Sequence, residues 1–215
     1  MPVEDLTRRV ESGMFVYPGD PEVSVEPHAT VAADGCRVSR VALGSHAGTH
    51  VDAPSHTEPA GRSLGDVPVE TFRFEAVVAD LRPCDARAAL SPADLPLARA
   101  DDAGADMLVL HTGWDAHWGE PRARDHPYLT AEAAAACAAR DLHVGTDALG
   151  VDPTPGGDAG DAAGGLDAHH ALLGNDRLIV ENLTRLDAVP ERLQVDAYPL
   201  ALDADGAPVR AVGRF

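Results

Sequence analysis

His46-Ala47-Gly48-Thr49-His50-Val51-Asp52-Ala53-Pro54-Ser55-His56 packs three histidines and one aspartate into eleven residues. Imidazole and carboxylate are ligands that Zn²⁺, Mn²⁺ and Fe²⁺ accept. The four side chains are separated by steps of 4, 2 and 4. All are even, and in an extended chain even steps place side chains on one face. A helix would bring His46 and His50 together but would turn Asp52 well away from His46. Gly48 and Pro54 weaken a helix further. The stretch is therefore expected to be an extended or looped ligand segment running off a strand at 36–45. A lone histidine is most often structural, but ligand-type residues this dense, in a chain with 10 histidines overall, point to metal binding. A closed structural zinc site is the alternative. Such sites favour cysteine-rich tetrahedra, and this stretch has no Cys.

Upstream, residues 5–11 read as a short helix or an irregular entry. Pro18-Gly19-Asp20-Pro21 forms a turn, and Val23 and Val25 alternate with polar residues as in a short strand. Downstream, 57–66 is loop-like. The apolar run Glu75–Leu81 fits a buried strand. Ser91 and Pro92 are suited to the cap and first position of a helix. Asp106–Gly113 reads as another buried strand. Thr130 caps the clearest helix, which is alanine-rich and runs to about Arg140. Leu142–Asp147 reads as a strand, and 152–168 as a long loop of the kind that is often functional. A short helix around 168–174 and a strand at 177–182 follow. Strands alternating with helices predict an α/β fold.

The chain of 215 residues fits one domain, 1–215, better than two. It is long enough to bury roughly 70% of its unfolded surface, so it needs no disulfides. A net charge of −18, with every basic residue an Arg, leaves no basic footprint for nucleic acid. Cys36, Cys84 and Cys137 are isolated, which argues against a disulfide framework or a thiolate zinc site. Each is expected to be a small buried hydrophobe. The N-terminal residues have neither the basic nor the apolar region of a signal peptide. No apolar run reaches the ~18 residues of a membrane span. A cytoplasmic protein acting on a small molecule, with no membrane or nucleic-acid partner, is the expectation.

The opening stretch matches all seven fixed positions of the His-x-Gly-Thr-His-x-Asp-x-Pro-x-His signature of the metal-dependent cyclase family, which includes kynurenine formamidases and isatin hydrolases. Other segments are similar too: Tyr17-Pro18-Gly19-Asp20, His111-Thr112-Gly113-Trp114, Gly145-Thr146-Asp147 with Val151-Asp152-Pro153, His169 with Leu172-Leu173, and Glu181-Asn182-Leu183. The resemblance implies a mixed β-sheet or barrel-like core flanked by helices, of the swivelling β/β/α type. It implies that His46, His50 and Asp52 are ligands of a first metal and that Asp52 bridges to a second. His169 and Glu181 are then the remaining ligands. His170 adjoins His169, but the spacing to Leu172-Leu173 and Glu181 favours His169. His56 matches the family's proton donor and acceptor. Tyr17 stands where kynurenine formamidase has a substrate-packing Trp. His28, His117, His126 and His143 are expected to be surface or structural.

A bridging carboxylate is how two cations are held about 3.5–4 Å apart, and a buried Glu181 is costly without a cation partner. The expected cofactor is Zn²⁺, two per chain, with Mn²⁺ as the alternative. The expected reaction is hydrolysis of a small amide: a cation lowers the pKa of its water to about 7, and His56 passes the proton to the leaving nitrogen. Cyclisation, or lactam hydrolysis of the isatin hydrolase type, could use the same site. An aromatic content of 4% gives little material for an aryl pocket. By resemblance the protein is expected to be a homodimer or homotetramer.

Overall fold

A computed structural model of the chain describes residues 1–155 and 165–215. The strands in chain order are β1 (Val3–Asp5), β2 (Ser24–Ala29), β3 (Val38–Ala42), β4 (His50–Asp52), β5 (Arg73–Asp80), β6 (Ala89–Leu90), β7 (Met107–His111), β8 (Tyr128–Leu129), β9 (His143–Thr146), β10 (Ile179–Glu181), β11 (Arg192–Asp196), β12 (Gly206–Pro208) and β13 (Val212–Arg214). The helices are α1 (Val31–Asp34), α2 (Leu97–Ala103), α3 (Ala131–Ala138) and α4 (Asp167–Leu173). Nine strands form one curled mixed sheet in the order β1-β13-β11-β5-β7-β9-β10-β4-β12. Neighbours among β5, β7, β9 and β10 run parallel, and the flanking pairs run antiparallel. The fold is thus the α/β class that the alternation of elements predicts.

The pleat of the long strands feeds two cores. Phe74, Ala76, Val78, Met107 and Val109 point to one face. Val77, Ala79, Leu108 and Leu110 point to the other, where α2, α3 and α4 cover them with Ala100, Ala133, Ala134, Cys137, Leu172 and Leu173. Burying a side chain such as Phe74 contributes about 1.5–3 kcal/mol. The same parity governs β4 and β10. Val51 and Val180 belong to the first core and Ile179 to the second. His50, Asp52 and Glu181 therefore face the helical side, with Glu181 opposite His50 and Ile179 opposite Asp52.

Several expectations are corrected here. The strand expected at 36–45 is only Val38–Ala42, and it pairs with β2 in a separate two-stranded hairpin rather than with the main sheet. Its residues are exposed. The helix expected at Ser91 is a single turn, Pro92–Asp94, with a reciprocal Ser91–Asp94 cap. Pro96 interrupts it by forcing Leu95 into an extended conformation, and α2 starts afterwards. Thr130 does cap α3, accepting from the Ala133 N–H, a contact worth about 1 kcal/mol. Cys137 is buried as expected, but Cys84 is half-buried and Cys36, between the hairpin strands, is exposed. The long loop expected at 152–168 falls partly on 156–164, outside the described residues. No helix among the described residues is long and apolar enough to cross a membrane.

His126 and His143 are buried and structural, whereas His28 is exposed. His143 Nδ1 accepts from the Leu178 N–H at 2.8 Å. Burial, aided by the charge of Arg177, pushes this imidazole down to about 4. In the unfolded chain it titrates near 6.5. Between these values the unfolded state binds the extra proton, so stability falls as pH drops from about 6.5 towards about 4. His143→Gln should flatten that fall by up to about 3 kcal/mol. Urea unfolding of both proteins at neutral and acidic pH checks this. Equal pH slopes would rule out His143 as the source.

Candidate active site

Three segments meet at one end of the helical face. The turn after β3 carries His46, β4 carries His50 and Asp52, and a 3₁₀ turn at Pro54–His56 carries His56. α4 brings His169 and β10 brings Glu181. His46, His50, Asp52, His169 and Glu181 thus come together from positions up to 135 residues apart. Their candidate ligand atoms fall into two groups sharing Asp52: one with His46 and His50, one with His169 and Glu181. Within each group the atoms lie within 4.8 Å of one another.

The back nitrogens of the imidazoles decide what their front nitrogens can do. His50 Nδ1 lies 2.8 Å from the Gly48 carbonyl, which only accepts, so Nδ1 carries hydrogen and donates. His169 Nδ1 lies 2.6 Å from Asp152 Oδ2 and donates likewise. Asp152 is itself fixed by the N–H groups of Ala168 and His169. The left-handed φ of +66° at Gly48 favours glycine, and its carbonyl also accepts from Asn182 Nδ2. The front nitrogens face carboxylates: His50 Nε2 lies 3.2 Å from Asp52 Oδ1 and 3.4 Å from Glu181 Oε2. His169 Nε2 lies 3.7 Å from Asp52 Oδ2 and 3.5 Å from Glu181 Oε1.

A lone pair facing a carboxylate in a dry core is repulsive unless positive charge lies between them. His50 Nε2, Asp52 Oδ2 and Glu181 Oε1 are buried with no hydrogen-bond partner among the described residues. Extra protons are one source of that charge. Burial pushes the His50 imidazole down, yet the Asp52 and Glu181 carboxylates raise it well above its ordinary value. Burial pushes the Asp52 carboxyl up, yet the charge of His50 and contacts with His169 and His46 hold it well below the usual range. A divalent cation is the other source, and the donor set of imidazoles and carboxylates suits one.

The cluster opens into a cavity of about 370 Å³. Phe15, Tyr17 and Trp118 line it alongside His46, His56 and Leu149. These are three of only nine aromatic residues (two Trp, three Tyr, four Phe). A third of the small aromatic content therefore lines this one cavity, more than the overall composition suggested. Trp118 is held edge-on by Phe15, at 5.6 Å between ring centroids, and by the Arg8 guanidinium 4.7 Å over its face. Tyr17 is half-buried, and burial with the nearby Glu181 charge pushes its hydroxyl pKa up.

Sequence reasoning missed Phe15, Trp118 and Asp205, and gave Asp152 no part in the site. Asp205 Oδ2 contacts both His46 Nε2, at 3.0 Å, and His56 Nδ1, at 3.3 Å. Burial pushes its carboxyl up, but His46 and then His56 bring it down to about 2. His56 lies at the cavity wall, its ring centroid 4.0 Å from His46 and 5.6 Å from His169. His170, the neighbour of His169, points elsewhere and contacts Glu58 at 2.7 Å.

A curled mixed sheet with pinned imidazoles and paired carboxylates at a cavity mouth is the architecture of a metal-dependent hydrolase. The chain belongs to the cyclase family: the family model described as "Putative cyclase" matches residues 4–153. It is 33% identical to a kynurenine formamidase of Salinibacter ruber, over 100% of this chain and 98% of that protein. It is 31% identical to a kynurenine formamidase of Maricaulis maris, over 98% and 96%. Isatin hydrolase A from Labrenzia aggregata, solved with benzyl benzoate, shares the fold with a TM-score of 0.81 at 23% identity, over 99% of this chain and 93% of that one.

Proposed function

We propose that residues 1–215 form one metal-dependent amide hydrolase domain acting on a small aryl formamide. The observation that carries this is the set of pinned imidazoles facing Asp52 and Glu181 beside an aromatic-lined cavity. Kinship with kynurenine formamidases supports the same chemistry. His46, His50 and Asp52 would hold one cation, and Asp52, His169 and Glu181 a second. Zn²⁺ suits the imidazole-rich set, with Mn²⁺ as the alternative. Bound cations supply Lewis acidity for the carbonyl and a more acidic water. Phe15, Tyr17 and Trp118 hold the aryl ring and exclude water from it. His56 takes a proton from water as its oxygen attacks the formyl carbon. It returns that proton to the departing nitrogen as the C–N bond breaks, leaving formate and an aryl amine. Imidazole suits both steps because it titrates near neutral pH. A cytoplasmic homo-oligomer is the proposed setting.

A hydrolysis screen tests the reading. N-formylkynurenine, isatin and simple formamides are each offered with Zn²⁺ and with Mn²⁺. Turnover of the aryl formamide, abolished by a chelator and restored by metal, is expected. Preference for isatin would move the assignment to lactam hydrolysis. Chelator-resistant turnover would overturn the role given to the cluster.

A further inference from the structure

We propose that Asp205 is a positioning residue, one carboxylate that locks the imidazoles of His46 and His56 into set tautomers. The inference rests on the reading of the site above. Asp205 immediately precedes β12, and its backbone carbonyl accepts from the Ala53 N–H at 2.8 Å. Ala53 lies between Asp52 and the turn that carries His56, so Asp205 is tied to the segment whose side chains it contacts. The next residue is also constrained. A Cβ on Gly206 would stand 2.7 Å from His46 Cε1, so only glycine lets the His46 ring lie where Asp205 can reach it.

A single atom, Oδ2, meets both rings. A carboxylate accepts and does not donate, so His46 Nε2 and His56 Nδ1 must each carry hydrogen. At His46 both ring nitrogens face carboxylates, Nε2 that of Asp205 and Nδ1 that of Asp52 at 2.7 Å, so with Nε2–H held by Asp205 it is Nδ1 that would give up its hydrogen to a cation shared with Asp52. For His56 it leaves Nε2 as the nitrogen that exchanges a proton with substrate. Free imidazole has no such restriction. The same carboxylate thus orients a proposed ligand from behind, as outer carboxylates do in metal sites, and sets the proton shuttle beside it. The Asp205 side chain is 43% exposed, so its removal opens no cavity in the core, although His46, 17% exposed, loses the acceptor for its Nε2–H.

Asp205→Ala and Asp205→Asn test this. The first measurement uses metal-free protein and reads the ring nitrogens by ¹⁵N NMR, at a pH where the spectrum itself shows a neutral His56 ring. Wild type should show His56 as the Nδ1–H form. Asp205→Ala should show a mixture of both forms, and Asp205→Asn, which keeps an acceptor, should lie between. The second measurement is Zn²⁺ affinity by chelator competition, expected to fall roughly 10–100-fold in Asp205→Ala. The third is turnover at saturating metal, where kcat should fall by roughly 10–100-fold with little change in KM. An unchanged His56 tautomer in Asp205→Ala would overturn the proposal, as would an unchanged kcat in the metal-saturated variant. Should wild type hydrolyse no amide, the hydrolase reading fails, and the tautomer measurement still decides the role of Asp205.

Discussion

Asp52→Asn should lower turnover by roughly 10³-fold, equivalent to about 4 kcal/mol of lost transition-state stabilisation. Asp52 is fully buried and touches all three proposed ligand imidazoles. Oδ1 lies 2.7 Å from His46 Nδ1 and 3.2 Å from His50 Nε2, and Oδ2 lies 3.7 Å from His169 Nε2. Asparagine keeps the shape but removes the negative charge shared by both ligand groups. Its NH₂ can donate to an imidazole lone pair, but removing one partner from a buried charged cluster commonly costs about 3–5 kcal/mol, so metal-free protein should lose stability as well. Elemental analysis beside kinetics separates the effects: metal content should drop together with kcat/KM. A fully metallated, active Asp52→Asn would sink the shared-carboxylate reading.

His56→Ala should give the complementary pattern: metal retained and turnover reduced by roughly 10²–10⁴-fold. His56 is 27% exposed at the cavity wall on a short turn, so truncation leaves the core intact. KM should change little, because Phe15, Tyr17 and Trp118 are the residues proposed to hold the aryl ring. Metal analysis and steady-state kinetics on one preparation check both halves. Metal loss equal to the activity loss would make His56 a ligand instead of a shuttle.

Local pattern made part of this molecule legible. Thr130 marked α3, and the apolar runs at β5, β7 and β10 marked strands of the sheet centre, because strands covered on both faces read as continuous hydrophobic stretches. The antiparallel flanks were not legible. β12 contains a Pro and β13 a Gly, and β11 has only partial alternation. β3 was visible as a strand but not as part of a separate hairpin, since pairing partners are not written in local composition. At the site, His46 to His56 stood out by density alone. His169 and Glu181 were reached through family resemblance, and the structure brings both to the same cluster. Asp205 carried no individual signal among 35 acidic residues, and Asp152 stood in a segment similar to the family's without a role. Only the fold shows which acids meet an imidazole.

β4 pairs with β10 and β12, and both follow it in the chain by more than a hundred residues. His50 and Asp52 therefore have no sheet to belong to until almost the entire chain is available. Closing such long loops is entropically costly and slow compared with forming local contacts. The segment that looks most self-contained on paper is thus held in place by strands from the far end of the chain. A chain shortened by its final fifteen residues would keep every proposed ligand, yet would lose the strand and the carboxylate that hold them in register.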